Sequence, residues 1–187
     1  MNEPTLGGRI GLLVDEFFGR RGTAFREAAA ACAGALARGG TILAFGNGGS
    51  AAEAQHFVAE LVNKFHKPRR ALRAVTLSAD TSVLTSIGND LSFEAVFSRQ
   101  IEALGDAGDV ALALTTSGSS PNVLSALAAA KSMGLTTIAL TGRGGGKAAP
   151  LTDFLLDVDS NETPRIQEVH LVVVHLLTEE IENRLHM

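Results

Sequence analysis

The feature that most constrains this chain is a repeated alternation of short apolar runs with longer helix-like segments. Each run is followed directly by glycine, serine, threonine or aspartate. Short apolar runs that alternate with helical segments predict a buried parallel sheet with helices on both faces. The right-handed crossover rule then gives a doubly wound, three-layer α/β/α sandwich with ligands at the carboxyl ends of its strands. The five predicted strands occupy residues 41–45, 72–77, 109–115, 135–141 and 154–158.

The segments between and around these runs have helical spacing. Residues 9–38 predict two helices, with Gly22 and Thr23 as the break and the N-cap and a stop at 39–40. This N-terminal segment, residues 1–40, is available for packing or oligomerisation, and residues 41–187 form the α/β core of one domain spanning 1–187. Further helices are predicted at 50–65, 82–87, 93–104, 120–133 and 163–185.

Composition removes several classes of function. The net charge of −4 provides no basic surface for nucleic acid. The single cysteine, Cys32, excludes an intramolecular disulfide and suits a reducing compartment. Residues 1–7 lack a basic stretch before an apolar run, and charges interrupt every apolar stretch before the length of a membrane span. We therefore expect a soluble cytoplasmic protein without a nucleic-acid or membrane partner.

The first strand ends in a glycine-rich turn into a helix, with Asn47, Gly48, Gly49 and Ser50 after Gly46. Such turns present backbone N–H groups at a positive helix end and form anion sites, most simply for phosphate. The spacing also matches a loose dinucleotide fingerprint, but no acidic residue follows at the required position. A single phosphate is favoured over a dinucleotide, and a tight turn without ligand remains an alternative.

The third strand ends in five hydroxyls around one glycine, which are Thr115, Thr116, Ser117, Ser119 and Ser120. A helix N-cap needs only one of them, so the others are candidate donors to phosphate oxygens. The carboxyl ends of parallel strands lie at one edge of the sheet. The two loops together therefore predict a pocket for one phosphorylated small molecule.

Titratable side chains on two helices are candidates for chemistry. His56 and Glu60 are four residues apart and project from one helix face, a spacing that suits metal coordination, acid–base work or a surface ion pair. His175 lies within an apolar run of the last helix, where a buried histidine needs a structural or catalytic partner. His170 and His186 are expected to face solvent.

Together these pieces resemble the sugar isomerase (SIS) domain family, and within it the phosphoheptose isomerases. The resemblance runs from about residue 9 to the C-terminus and implies a flavodoxin-like α/β/α fold. The set of motifs is specific, although no single member is. The matching stretches are residues 46–50, 55–57 with Glu60, 86–90, 116–118, 140–142 with 145–147, and 165–168 with His175.

The resemblance implies the conversion of sedoheptulose 7-phosphate to D-glycero-D-manno-heptose 7-phosphate, a step towards ADP-heptose for lipopolysaccharide. It implies Glu60 and His175 as the acid–base pair, and a homotetramer with active sites at subunit interfaces. It also implies one zinc per subunit, held by His56, Glu60, Gln167 and His175. The substrate contacts that it implies are Asn47, Gly48, Gly49, Ser50, Glu60, Asn89, Asp90, Thr115, Thr116, Ser117, Ser120 and Gln167.

The chemistry of such an isomerisation agrees with these residue types. A proton moves between C1 and C2 through an enediol, which requires a base, an acid and stabilisation of oxyanion charge but no nucleotide cofactor. One geometric point conflicts with a simple zinc site. Gln167 and His175 are separated on one helix by about 12 Å of rise and about 80° of rotation.

Three other functions remain as alternatives. The main one is a non-catalytic relative that binds the replication initiator DnaA; such relatives lack the acid–base pair, whereas this chain has Glu60 and His175. A sugar-phosphate-sensing module would normally be fused to a further domain, for which 187 residues leave no room. An isomerase of another phosphosugar is the third.

Overall fold

The computed structural model describes residues 5–185, and its five strands form one parallel sheet in the order β2-β1-β3-β4-β5. This is the order of flavodoxin-like folds, so the predicted fold class is confirmed. The predicted domain extends beyond the described residues at both ends. The strands are β1 (Ile42–Gly46), β2 (Ala74–Thr76), β3 (Val110–Thr115), β4 (Thr136–Thr141) and β5 (Phe154–Asp157).

The N-terminal segment is one helix, and the predicted break at Gly22 and Thr23 is wrong. A single glycine inside a helix costs only about 1 kcal/mol relative to alanine. Packing of the buried face, which includes Phe17 and Phe25, against the last helix and β5 offsets that cost. The helices are α1 (Leu6–Ala37), α2 (Gly49–Val62), α3 (Thr81–Asp90), α4 (Ser98–Leu104), α5 (Pro121–Ser132) and α6 (Thr163–Arg184).

Two further segments differ from the prediction. The long helix predicted at 93–104 is a 3₁₀ turn, Phe93–Ala95, followed by the shorter α4. The segment between the predicted strands 135–141 and 154–158, for which no helix is predicted, forms 3₁₀ turns within Arg143–Leu151, broken at three consecutive glycines with positive φ. Only glycine adopts such a run of left-handed conformations at low cost, so these three glycines produce the kink.

The core consists of two apolar layers, one on each face of the sheet. One layer packs α1, α2 and α6 against alternate strand residues such as Leu112 and Leu140. The other packs α4 and α5 against the intervening residues, including Phe45 and Ala113. Every residue of β1 and β3 is buried, as expected for strands covered on both faces.

Helix α1 is tied to the end of β5 through Asp157. Arg20 and Arg21 both pair with this carboxylate, and the N–H of Gly144 donates to it at 2.9 Å. Burial raises the pKa of Asp157, but the Gly144 N–H and the two arginines outweigh it and hold the pKa below its ordinary value. Within residues 5–185, no helix has the length and apolar character required to cross a membrane.

Candidate active site

Strands β1 and β3 are neighbours, but the chain leaves them towards opposite edges of the sheet. Ligands bind at such a switch point, outside the carboxyl ends of the two strands. The two loops selected from the sequence, residues 46–50 and 115–120, both lie there. They border a cavity of about 220 Å³, which the first turn of α6 also lines.

The side chains that line this cavity are neutral in the described part of the chain. Positive potential comes instead from helix ends, because α2, α5 and α6 all begin at its wall. Ser120, the N-cap residue of α5, makes no capping hydrogen bond with its side chain. The cavity therefore offers hydroxyls and helix N-termini to an anion. Its polar lining residues are Asn47, Ser50, Thr115, Thr116, Ser117, Ser120, Thr163 and Gln167.

An amide pair fixes the first loop to the helix after the second. Asn47 Nδ2 donates to Asn122 Oδ1 at 2.9 Å, and Asn122 Nδ2 donates to Asn47 Oδ1 at the same distance. The N–H of Val123 also donates to Asn122 Oδ1 at 3.0 Å. Sequence reasoning missed Asn122 and also Thr163. Their signal was weak, since each stands in the first turn of a helix, where polar residues are common.

Gln167 lies against the glycine-rich loop. Its Nε2 is 3.4 Å from Ser50 Oγ, and a Cβ at position 49 would come within 2.5 Å of that nitrogen. Gly49 therefore provides the space that the amide occupies. Gly48, the exposed N-cap residue of α2, has φ +55°, so its conformation also favours glycine.

A second cluster lies further along the same two helices. His56 Nε2 on α2 is 2.8 Å from His175 Nε2 on α6, and 3.6 Å from Glu60 Oε1. The ring of Phe65 stacks on His175 with a centroid distance of 5.8 Å and an interplanar angle of 18°. Glu60 and His175 are thereby linked through His56. Sequence reasoning missed Phe65, because it placed this residue at the end of the predicted helix 50–65, whereas α2 ends at Val62.

The burial of His170 and His175 on α6 differs from the expectation. His175 is half-buried, whereas His170 is fully buried and its Nε2 contacts the carbonyl of Thr141 at 3.1 Å. The expectation that His170 faces solvent is therefore wrong, because five residues along a helix turn a side chain to a different face. His186 lies outside the described residues.

Helices α2 and α6 run in the same direction. Ser50 meets Gln167 near their N-termini, and His56 meets His175 further along. Six residues of helix separate Ser50 from His56, a rise of about 9 Å. The hydroxyl-lined cavity and the histidine cluster therefore lie within the length of one small ligand.

The histidine cluster has donors suited to zinc, but not a complete site. Two imidazoles and a carboxylate are ordinary zinc ligands. Tetrahedral ligands at about 2.0–2.1 Å from zinc lie about 3.3 Å apart, so the two Nε2 atoms would need to separate slightly. Within residues 5–185, no three side chains of His, Cys, Asp or Glu are arranged as a metal site. Gln167 contacts Ser50 instead, and its role as a ligand stays a prediction.

Asn89 and Asp90 lie apart from both groups in this chain. They are exposed at the end of α3, where Asn89 Nδ2 donates to Asp90 Oδ1 at 2.7 Å. They do not line the hydroxyl-rich cavity. Their predicted contact with substrate stays a prediction.

Comparison with known proteins identifies the family. The SIS domain model matches residues 9–142, so the chain is a SIS domain protein. Phosphoheptose isomerase of Paramagnetospirillum magneticum is 56% identical over 158 residues, covering 84% of this chain and 82% of that protein. The chain belongs to the phosphoheptose isomerase family.

Solved structures of phosphoheptose isomerases have the same fold as this chain. Phosphoheptose isomerase GmhA of Neisseria gonorrhoeae has a TM-score of 0.86 at 43% identity, with 94% of this chain and 92% of that chain covered. A phosphoheptose isomerase of Francisella tularensis has a TM-score of 0.88 at 37% identity, with 92% of each chain covered. The resemblance inferred from the sequence is confirmed. These relatives give the DnaA-binding alternative no support.

Proposed function

We propose that this chain interconverts sedoheptulose 7-phosphate and D-glycero-D-manno-heptose 7-phosphate. One observation carries the proposal: Glu60 and His175 are joined through His56 at about 9 Å along α2 from a hydroxyl-lined anion cavity. An extended seven-carbon chain spans about 8 Å between C1 and C7, with carbon–carbon bonds of about 1.5 Å. The separation suits a sugar with its phosphate at one end and its reacting carbons at the other.

The phosphate would occupy the cavity between the β1 and β3 loops. The hydroxyls of Thr116, Ser117 and Ser120 would donate to its oxygens, and the N-termini of α2, α5 and α6 would stabilise its charge. Gln167, Asn47 and Ser50 would bind hydroxyls of the sugar. Neutral donors of this kind bind a dianion without a lysine or arginine.

The proton transfers follow from the cluster. Glu60 would remove the proton from C1 of the ketose and return it to C2, while His175 would move a proton between the oxygens on C1 and C2. The enediol lies between the two transfers, and no electron acceptor is required. The stack of Phe65 on one face of His175 would hold the imidazole plane during the exchange.

Zinc is part of this proposal. His56, Glu60 and His175 would hold it, with Gln167 as the predicted fourth ligand. When bound, the ion would polarise the substrate carbonyl and stabilise the enediolate charge. The support is the donor chemistry of the cluster together with the 2.8 Å approach of the two Nε2 atoms.

We also propose a cytoplasmic homotetramer that supplies heptose for lipopolysaccharide. The exposed apolar side chains of Leu6 and Leu12 on α1, and of Leu91 and Phe93 beside α3, support burial against further copies. The buried free thiol of Cys32 agrees with a reducing compartment.

The test is turnover of sedoheptulose 7-phosphate by the wild-type protein and by Glu60→Gln. The substitution keeps the shape and removes the base, so kcat should fall by about 10²–10⁴-fold with little change in KM. Glu102→Gln, in an exposed ion pair with Arg99, is the matched control and should keep the wild-type rate. A Glu60→Gln enzyme that retains most of its kcat would refute the assignment of the base.

The same assay tests zinc after chelation. Loss of turnover that added zinc restores would support the metal, and full turnover of the chelated protein would exclude it while leaving Glu60 and His175 as catalysts. No turnover by the wild-type protein, with or without zinc, would contradict the proposed substrate.

A further inference from the structure

A buried ion pair, Arg69 with Glu182, contacts the backbone of Glu60 and of Phe65 next to the histidine cluster. The side chains of Arg69 and Glu182 are 1% and 2% exposed, and Arg69 Nε donates to Glu182 Oε1 at 2.6 Å. Arg69 comes from the loop after α2, and Glu182 from the last turns of α6. The pair therefore connects the two helices that carry Glu60 and His175.

Arg69 holds the end of α2 through its backbone. Its Nη2 donates to the carbonyl of Glu60 at 2.7 Å, and its Nη1 donates to the carbonyl of Leu61 at 2.8 Å. The last carbonyls of a helix lack intrahelical partners, and this guanidinium supplies a partner to each of the two. The Leu61 carbonyl also accepts the N–H of Leu72 at 3.2 Å. One of those groups belongs to Glu60 itself.

Glu182 holds the loop that carries Phe65. It accepts the N–H of Phe65 at 3.0 Å and the N–H of His66 at 3.1 Å. Burial raises the pKa of Glu182, but Arg69 and these two N–H groups outweigh it and lower the pKa from its ordinary value. The loop is thereby fixed where the ring of Phe65 stacks on His175.

Glu182 also shares a helix face with His175. The two residues are seven positions apart, which is close to two full turns. The carboxylate of Glu182 therefore lies two turns from His175 on α6. Through Arg69 it is also connected to the backbone of Glu60 on α2. A buried ion pair contributes little more to the stability of a protein than apolar residues of similar volume would. The role to test for Arg69 and Glu182 is therefore the positioning of neighbouring groups.

We propose that Arg69 and Glu182 are positioning residues that set Glu60 and His175 relative to each other, Arg69 through the backbone of the Glu60 turn and Glu182 through Phe65. This inference rests on the proposed roles of Glu60 and His175. Neither Arg69 nor Glu182 lines the hydroxyl-lined cavity, so neither would contact the proposed phosphate.

The main variant is Glu182→Gln, which keeps the length of the side chain but places an NH₂ group among donors. We expect kcat for sedoheptulose 7-phosphate to fall at least about tenfold, since a misplacement of about 1 Å costs up to 10²-fold, while KM stays within about twofold. Glu180→Gln is the matched control. It removes an exposed partner of Arg184 on the same helix and should keep the wild-type kcat.

Phe65→Leu is the second variant, and it leaves the buried pair intact. It removes only the stacked ring, so kcat should again fall without a change in KM. If Glu182→Gln does not fold, Phe65→Leu tests whether the stacked ring positions His175. Arg69→Lys keeps the positive charge but loses the paired guanidinium donors, so it tests whether Arg69 positions Glu60. Wild-type kcat in folded Glu182→Gln, or in both substitutes, would overturn the proposal.

An NMR measurement separates this inference from the proposed reaction. The Hε1 signal of His175 should move in Glu182→Gln and in Phe65→Leu but not in Glu180→Gln, since the stacked ring shifts it. A protein that turns over no sedoheptulose 7-phosphate yet shows these shifts would refute the function and keep the positioning contact. An unmoved His175 signal in both variants would refute the positioning contact whatever the substrate.

Discussion

Gly118 lies where the hydroxyl-rich loop meets the kinked segment after β4. Its φ is +59°, and a Cβ at this position would overlap the carbonyl group of Gly145. The two segments are also joined by the N–H of Ala148, which donates to the Gly118 carbonyl at 2.9 Å. Gly118→Ala must therefore strain the backbone and separate two loops at the same time.

The magnitude follows from comparison with Gly134→Ala. Gly134 has φ +78°, but a Cβ there would meet nothing closer than the Cβ of Ala107 at 3.5 Å, an ordinary contact. Gly134→Ala should therefore cost only the left-handed conformation, about 1–2 kcal/mol. Gly118→Ala should cost that amount plus about 1–3 kcal/mol for the overlap.

Urea unfolding of the two variants and the wild-type protein measures this difference. Gly118→Ala should also raise KM for the sugar phosphate, because Ser117 and Ser120 flank the displaced backbone, while Gly134→Ala should leave KM unchanged. Equal loss of stability in the two variants would show that the contact with Gly145 is not tight. A wild-type KM for Gly118→Ala would show that the loop is not needed to bind phosphate.

Two further predictions concern the cavity and the ion pairs. Thr116→Ala combined with Ser120→Ala removes two hydroxyl donors, so the dissociation constant for sugar phosphate in calorimetry should rise by about tenfold or more; unchanged affinity would reject the phosphate site. The pKa values of Asp157 and Glu182 are lowered by folding, so both groups stabilise the protein above their ordinary pKa values of 3.8 and 4.5, and that stability is lost as pH falls through the folded values. Urea unfolding should show a free energy that declines below about pH 4.5, and Asp157→Asn should show a smaller decline; equal declines would exclude Asp157 as a contributor.

Local patterns predicted the sheet and the two loops at its edge. Five apolar runs of strand length leave few topologies once crossovers are right-handed, so the cavity between the loops could be located from the residues that follow β1 and β3. The helical spacing of His56 and Glu60 likewise places both side chains on one helix face. These predictions succeed because each depends on residues that are close together in the sequence.

Contacts between distant segments could not be predicted in the same way. The amide pair of Asn47 and Asn122 joins residues 75 positions apart, and the bond between Arg69 and Glu182 joins residues 113 positions apart. Neither partner has a local signature, because an asparagine near a helix start or an arginine in a loop is ordinary. The continuous α1 was missed for a related reason, since packing against α6 outweighs the local effect of Gly22.

In the proposed reaction, the parallel pair of α2 and α6 separates binding from chemistry. Its N-terminal end brings Ser50 and Gln167 to the hydroxyl-lined cavity, and its middle brings His56 and His175 together. Further along α6, Glu182 connects the two helices by accepting two N–H groups from the loop after α2. Changes at the cavity should therefore act on KM, and changes at or behind the histidines on kcat. If Glu182→Gln raised KM as strongly as the loss of the cavity hydroxyls, the helix pair would move as one unit and the two ends would not be independent.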